Sequence, residues 1–148
     1  MRPRVTTGLA ISLVLSIACA TAHGTIESSE RAAESATLAQ IYFWRAKPDK
    51  VADYTRYVRE VAEPIDHEAQ RSGAFLSVTT YQSADTTVPW THMRVFLLRD
   101  SAQWRGLAPA LAAAGARMEP DSLRRRERSA YSASLRDPAG STLVRLVR

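Results

Sequence analysis

The stretch from Leu38 to Gly73 constrains the fold more than any other part of the chain. It reads as a strand, an abrupt break, a long amphipathic helix and a stop. Leu38-Ala-Gln-Ile-Tyr-Phe-Trp-Arg45 is dense in aromatic and branched side chains, which suit a pleated, half-buried surface. Lys47-Pro48-Asp49 interrupts it. Pro48 fixes φ and fits the first turn of a helix, and Asp49 suits the positive end of the helix dipole. Val51, Tyr54, Val58, Val61 and Ile65 then recur at three- and four-residue steps, which puts one apolar stripe on a helix. Arg56, Arg59, Glu60 and Glu63 fall off that stripe. Pro64 removes a backbone donor and crowds the carbonyl of the preceding turn, so a kink or break is expected near Ala62–Pro64. Gly73, after Ser72, suits a left-handed C-cap.

The remaining elements follow in order. Ala74 to Gln82 is a second strand, Ser83 to Pro89 a loop of turn-forming residues, and Trp90 to Leu98 a third strand antiparallel to the second. Asp100 opens another helix, with Gln103 at capping-box spacing. Trp104, Leu107, Ala108 and Leu111 give its stripe, Pro109 lies within it, and Gly115 is a plausible C-cap. Glu119-Pro-Asp121 restarts the chain. Leu123, Ala130, Tyr131 and Leu135 predict a further helix to about Arg136. Asp137 to Gly140 reads as a turn, and Ser141 to Val147 as a fourth strand. Strand, helix, strand, strand, helices, strand is the split βαβ order of an α+β, ferredoxin-like domain. It has one antiparallel sheet with helices on one face.

The domain is expected over residues 38–148. Residues 1–22 read as a secretory signal peptide: Arg2 and Arg4 make a basic start, Leu9 to Ala18 is apolar, and Ala18-Cys-Ala20 and Ala20-Thr-Ala22 are small-x-small cleavage sites. The apolar run is short for a membrane span; an uncleaved anchor is the alternative. The expected location is therefore outside the cytoplasm, periplasmic or secreted. Cys19 is the single cysteine. Ser16-Ile-Ala-Cys19 loosely matches a lipoprotein signal, and membrane contact is expected only if Cys19 is lipidated. Residues 23–37 are small and polar and read as a mobile spacer, with a frayed helical turn as the alternative. Without Arg2 and Arg4 the chain keeps 18 basic and 15 acidic residues, a net +3. An exported chain of this charge is not expected to bind nucleic acid.

The order over Leu38–Arg45, Pro48–Gly73, Ala74–Gln82 and Trp90–Trp104 resembles the dimeric α/β-barrel superfamily. Its members include NIPSNAP-like proteins and antibiotic-biosynthesis-type monooxygenases. The resemblance covers roughly Leu38 to Arg148 and rests on element order and on the strand–proline–helix opening. It implies two subunits whose sheets pack face to face, often with a small-molecule cavity. No catalytic motif of the superfamily can be placed residue by residue, so no functional residue is carried over. The helical stretch Asp121–Arg136 departs from the shortest members.

Period-two geometry sorts the strand residues onto two faces. Ala39, Ile41, Phe43, Leu76, Val78, Met93, Val95 and Leu97 form an apolar set expected to face the helices. The opposite set comprises Gln40, Tyr42 and Trp44, then Phe75, Ser77, Thr79 and Tyr81, then His92, Arg94, Phe96 and Leu98. That mixed face suits a dimer interface or ligand cavity, and Tyr42, Trp44, Tyr81, His92, Arg94 and Phe96 are its candidate residues. His92 suits acid–base chemistry near neutrality, and Arg94 suits a carboxylate or enolate; cross-strand pairing is the structural alternative. Glu60, Glu63 and His67 fall at helical spacing, but Pro64 lies between them, so a solvated face is preferred to a metal site. Arg124-Arg-Arg-Glu-Arg128 is likewise read as a solvated face. No HExxH, CxxC, GxSxG or glycine-rich phosphate loop is present, and no cofactor is expected. The functional expectation is a homodimer binding a small, partly apolar molecule. The alternatives are a cofactor-free monooxygenase-type enzyme and a structural or assembly protein without ligand.

Overall fold

The computed structural model describes residues 30–147. The expected signal peptide, with Cys19, and the start of the spacer lie outside the described residues. Residues 30–35 are helical, and Ala36 is buried.

Strand β1 (Leu38–Ala46) is followed by a turn closed by the Lys50 amide on the Lys47 carbonyl at 3.0 Å. Pro48 and Asp49 are its central residues. Asp49 has φ of 59°, which is the left-handed third position of a type II turn and one that aspartate tolerates. Pro48 therefore precedes the helix instead of occupying its first turn. Helix α1 (Val51–Tyr57) runs into a π-helical turn (Val58–Ala62) and then α2 (Glu63–Arg71). The expected irregularity has a definite cause. Pro64 offers no N–H to the Glu60 carbonyl, and the wider π turn takes in an extra residue just before it. After α2, Gly73 at φ 80° donates to the Gln70 carbonyl at 2.9 Å and Ala74 to the Ala69 carbonyl at 3.2 Å. That pair of bonds is a Schellman cap.

Strands β2 (Ser77–Gln82) and β3 (His92–Leu98) pair antiparallel. Helix α3 (Ser101–Met118) is capped by the Asp100 carboxylate, which accepts from Ala102 N and Gln103 N. It continues past Gly115, which is no cap. A Cβ there would lie 3.3 Å from the Arg128 guanidinium, so the glycine admits α4 (Ser122–Leu135) at close range. Strand β4 (Arg136–Arg145) starts directly after α4. The turn expected over Asp137–Gly140 is instead a bulge within this edge strand: Trp44 pairs with Pro138 and Phe43 with Gly140. Proline is tolerated there because an edge strand leaves its outer backbone donors unpaired.

The sheet order is β2-β3-β1-β4, every neighbour antiparallel. Together with the element order, this is the ferredoxin-like fold. Two apolar groups join sheet to helices. In one, Leu38, Phe96 and Leu98 meet Ala69, Leu107 and Ala114; in the other, Ala46 and Trp44 meet Tyr54, Val58 and Leu135.

These contacts invert the expected faces of β1 and β3, whereas β2 keeps its expected faces, with Val78 packed inward. Leu38, Gln40, Tyr42 and Trp44 of β1 and His92, Arg94, Phe96 and Leu98 of β3 point at the helices. Ile41, Phe43, Met93, Val95 and Leu97 share the outer face and are only half-buried. The reason is volume. Ala69 and Ala114 leave room under the helices that large sheet residues must fill, and the polar members of the inner face find partners there. In β2, Tyr81 pairs with Met93, Thr79 with Val95 and Ser77 with Leu97, so all three lie on the outer face, while Phe75, before the strand, packs inward on Phe96.

Candidate functional site

His92 opens β3 beneath α1 and is 1% exposed. Its Nε2 lies 3.0 Å from Thr55 Oγ1 and its Nδ1 lies 3.0 Å from Thr91 Oγ1. Thr91 Oγ1 also accepts from Ala46 N at 2.7 Å and lies 3.3 Å from the Trp44 carbonyl. Thr55 Oγ1 has acceptors in the Val51 carbonyl at 2.8 Å and Gln82 Oε1 at 3.1 Å. Each hydroxyl has one proton. A neutral imidazole needs one threonine to donate to it and the other to accept. Burial holds the His92 pKa below its ordinary value, so this neutral form is the one present near pH 7. The Tyr54 ring meets the imidazole edge-on, with centroids 4.6 Å apart. Burial pushes the Tyr54 phenol up to about 12, partly offset by Arg136 and Arg94.

Behind His92, Arg94 forms an ion pair with Asp66 of α2, both side chains being more than nine-tenths buried. Its guanidinium lies 5.4 Å from the Phe96 ring centroid. Burial lowers the Arg94 pKa from its ordinary value, opposed by Tyr54 and Glu63. Farther along the same face, Trp104 Nε1 donates to Gln40 Oε1 at 2.9 Å.

A cleft of about 300 Å³ opens beside His92, between the α1–π turn and β2. Thr55, Val58, Arg59 and Glu63 form its helical wall; Thr80 and Gln82 form the strand side. The lining is chiefly polar, unlike the partly apolar pocket expected.

The structure brings five of the six sequence candidates together. Tyr42 stacks on Trp44 at 5.7 Å and meets Phe96 edge-on at 5.8 Å, with Arg94 and His92 on the same face. Only His92 of these lines the cleft. Tyr81 stands apart on the outer face, 48% exposed. Sequence reasoning missed Thr55, Thr91, Gln82 and Asp66. Thr55 had a signal, being a polar residue between Val51 and Val58 at stripe spacing. Asp66 had none, because the π turn brings it inward. Glu60 and His67 are exposed, and among the described residues no cluster of three or more His, Cys, Asp or Glu is placed to hold a metal.

Fold and cleft define an α+β protein of ferredoxin-like class with a polar hollow between helix and sheet. No family model and no curated protein matches the chain. Among the solved structures similar to it are three. HapK from Hahella chejuensis is 14% identical over 74% of this chain and 92% of its own, with a TM-score of 0.46. A proposed monooxygenase from Shewanella loihica PV-4 is 16% identical over 76% and 96%, with a TM-score of 0.46. A dimeric ferredoxin-like protein of unknown function from Jannaschia sp. CCS1 is 16% identical over 76% and 99%, with a TM-score of 0.45. These likenesses are too distant to carry a residue's role to this chain; strand order and connectivity assign the fold.

Proposed function

We propose that the protein is an exported, homodimeric binder of a small polar molecule, held in the cleft beside His92. The observation that carries this reading is the cleft itself: a buried neutral imidazole at its base, with hydroxyl and amide groups of Thr55, Thr80 and Gln82 around it. Convergent polar groups in a concave site fix a ligand's orientation. Small hydroxy acids, keto acids and amides are suitable probes, followed through the imidazole resonances of His92. Shifts seen with the wild type and abolished in Thr55→Val support the site. Unmoved His92 resonances at roughly millimolar probe, the weakest affinity worth assigning, would count against it.

The dimer reading rests on the outer sheet face, where Ile41, Phe43, Met93, Val95 and Leu97 are half-buried while α1 to α4 pack on the opposite side. A contiguous apolar face of this kind suits a second copy packed sheet to sheet. Light scattering should give a dimer for wild type and a monomer for Val95→Asp with unchanged far-UV circular dichroism. A monomeric wild type would remove this half of the proposal. Export rests on the N-terminal pattern of Arg2, Arg4 and the Leu9–Ala18 run.

A second reading, a cofactor-free monooxygenase-type enzyme, is favoured by one feature: His92 is held neutral at the cleft and can accept a proton. Arg94 does not serve as its anion holder, since Asp66 already occupies it. Substrate-dependent oxygen uptake lost in His92→Ala would favour this reading over simple binding.

A further inference from the structure

A second hollow, of about 590 Å³, lies between the π-turn region, α3, α4 and the start of β4, and shares no lining residue with the His92 cleft. Tyr57, Ile65, Leu111 and Pro138 supply apolar wall. Arg125, Arg128 and Arg136 supply charge, and no Asp or Glu lines it. The run Arg124–Arg128 thus splits by helical phase: Arg124 and Arg126 are exposed, whereas Arg125 and Arg128 are half-buried on the side that also carries Ser132.

Three details distinguish this hollow from a solvated basic face. First, among the described residues no carboxylate forms an ion pair with any of these three arginines. Arg125 Nη1 instead donates to the Glu119 and Pro120 carbonyls at 2.8 and 2.6 Å, and Arg128 Nη2 donates to the Gly115 carbonyl at 3.4 Å. Second, the Arg136 guanidinium lies over the Trp44 ring at 4.8 Å and the Tyr54 ring at 5.7 Å, and its buried Nε has no hydrogen-bond partner. Third, Ser132 is 6% exposed and its buried hydroxyl has no partner. Buried donors are rarely left unfilled, and like charges held together favour an opposite charge among them.

We infer that this hollow binds a small organic anion, a carboxylate or phosphate monoester with an aromatic or branched apolar body. The anionic head meets Arg128, Arg136 and the Ser132 hydroxyl, and the body lies on Tyr57, Ile65 and Leu111. A hollow of this volume matches a small molecule. An extended polyanion or a membrane surface would instead engage the outward-facing Arg124 and Arg126.

The test is calorimetric titration of the full chain, as produced, with phenyl phosphate, benzoate, inorganic phosphate, benzyl alcohol and phosphatidylglycerol vesicles. Phenyl phosphate or benzoate should bind at least about tenfold more tightly than benzyl alcohol, and more weakly as salt rises. Arg128→Gln should weaken that binding by about tenfold or more at unchanged Tm, because Arg128 makes one long bond to the fold. Ser132→Ala should weaken it several-fold without loss of stability. His92→Ala should leave it unchanged, which separates this site from the cleft. The inference is overturned by absence of binding at roughly millimolar anion, by equal binding of benzyl alcohol, or by full affinity in Arg128→Gln. Vesicle binding without small-anion binding, or binding of inorganic phosphate alone, also overturns it.

Discussion

Removing the Asp66 carboxylate exposes the energetics of the buried inner face. Asp66 and Arg94 are 4% and 8% exposed at their side chains, and they pair with each other. In Asp66→Ala the guanidinium stays where it is, without its counter-charge and out of water. Breaking a buried pair in this way costs about 3–5 kcal/mol. Glu63 also raises the Arg94 pKa, so part of the compensation survives and the lower end, about 3 kcal/mol, is expected. At roughly 4 °C per kcal/mol for a domain of this size, Tm should fall by about 12 °C. Replacing both partners by apolar groups, Asp66→Leu with Arg94→Met, removes the charges together and should return stability to within about 1 kcal/mol of wild type. Urea denaturation of the wild type, both single variants and the double variant closes the cycle. Asp66→Ala within 1 kcal/mol of wild type, on the about 1 kcal/mol scale of ordinary substitutions, would refute the reasoning. So would a double variant as unstable as the two singles summed.

Four further outcomes are expected. Val58→Asp should unfold the domain, since Val58 is 3% exposed against Trp44 and Leu135 and a buried unpaired carboxylate costs several kcal/mol, a large share of about 5–15 kcal/mol in total; Arg59→Ala should change Tm little. His92 is held below its ordinary 6.5, so the unfolded chain takes up the proton first: its contribution is complete above 6.5 and is lost as pH falls through the folded value. Urea midpoints measured downward from neutrality should therefore decline, and less so in His92→Gln. Tyr54, raised from 10.0 to about 12, has the opposite sign: its contribution is complete below pH 10 and is lost as pH rises toward 12, so Tyr54→Phe should resist alkaline unfolding better than other variants of equal Tm. N-terminal sequencing of exported protein should begin between Cys19 and His23; recovery of intact Met1 from the exported fraction would contradict the signal-peptide reading.

Element order was legible because each element carried a local signature. The aromatic run of β1, the stripe from Val51 to Ile65, the glycine at position 73 and the Asp100 cap all stand where their chemistry places them. The strand faces were not legible. Alternation divides β1 and β3 correctly into two sets, but which set faces inward depends on what the helices bring to meet it. Ala69 and Ala114 could be read only once α2 and α3 were known to lie over Phe96 and Leu98. Tyr42→Ala with Trp44→Ala would accordingly damage the core instead of separating subunits. The cleft was legible in part. His92 stood out by residue type, but its partner Thr55, and Gln82 that accepts from Thr55, come from two other elements and converge only through the fold.

The π turn at Val58–Ala62 has a consequence for length. Each residue of an α-helix turns its face by about 100°. On a straight helix Asp66, twelve residues on, would lie about 120° round from Tyr54, yet both are buried against the sheet, Tyr54 on His92 and Asp66 on Arg94. The wide turn acts as a phase shifter between them. Substitutions on its exposed positions, Arg59 and Glu60, leave the phase alone. Inserting a further residue beside them would rotate everything that follows by about 100° and swing Asp66 away from Arg94. The segment should therefore tolerate changes of residue, and loss of one residue, far better than the gain of one.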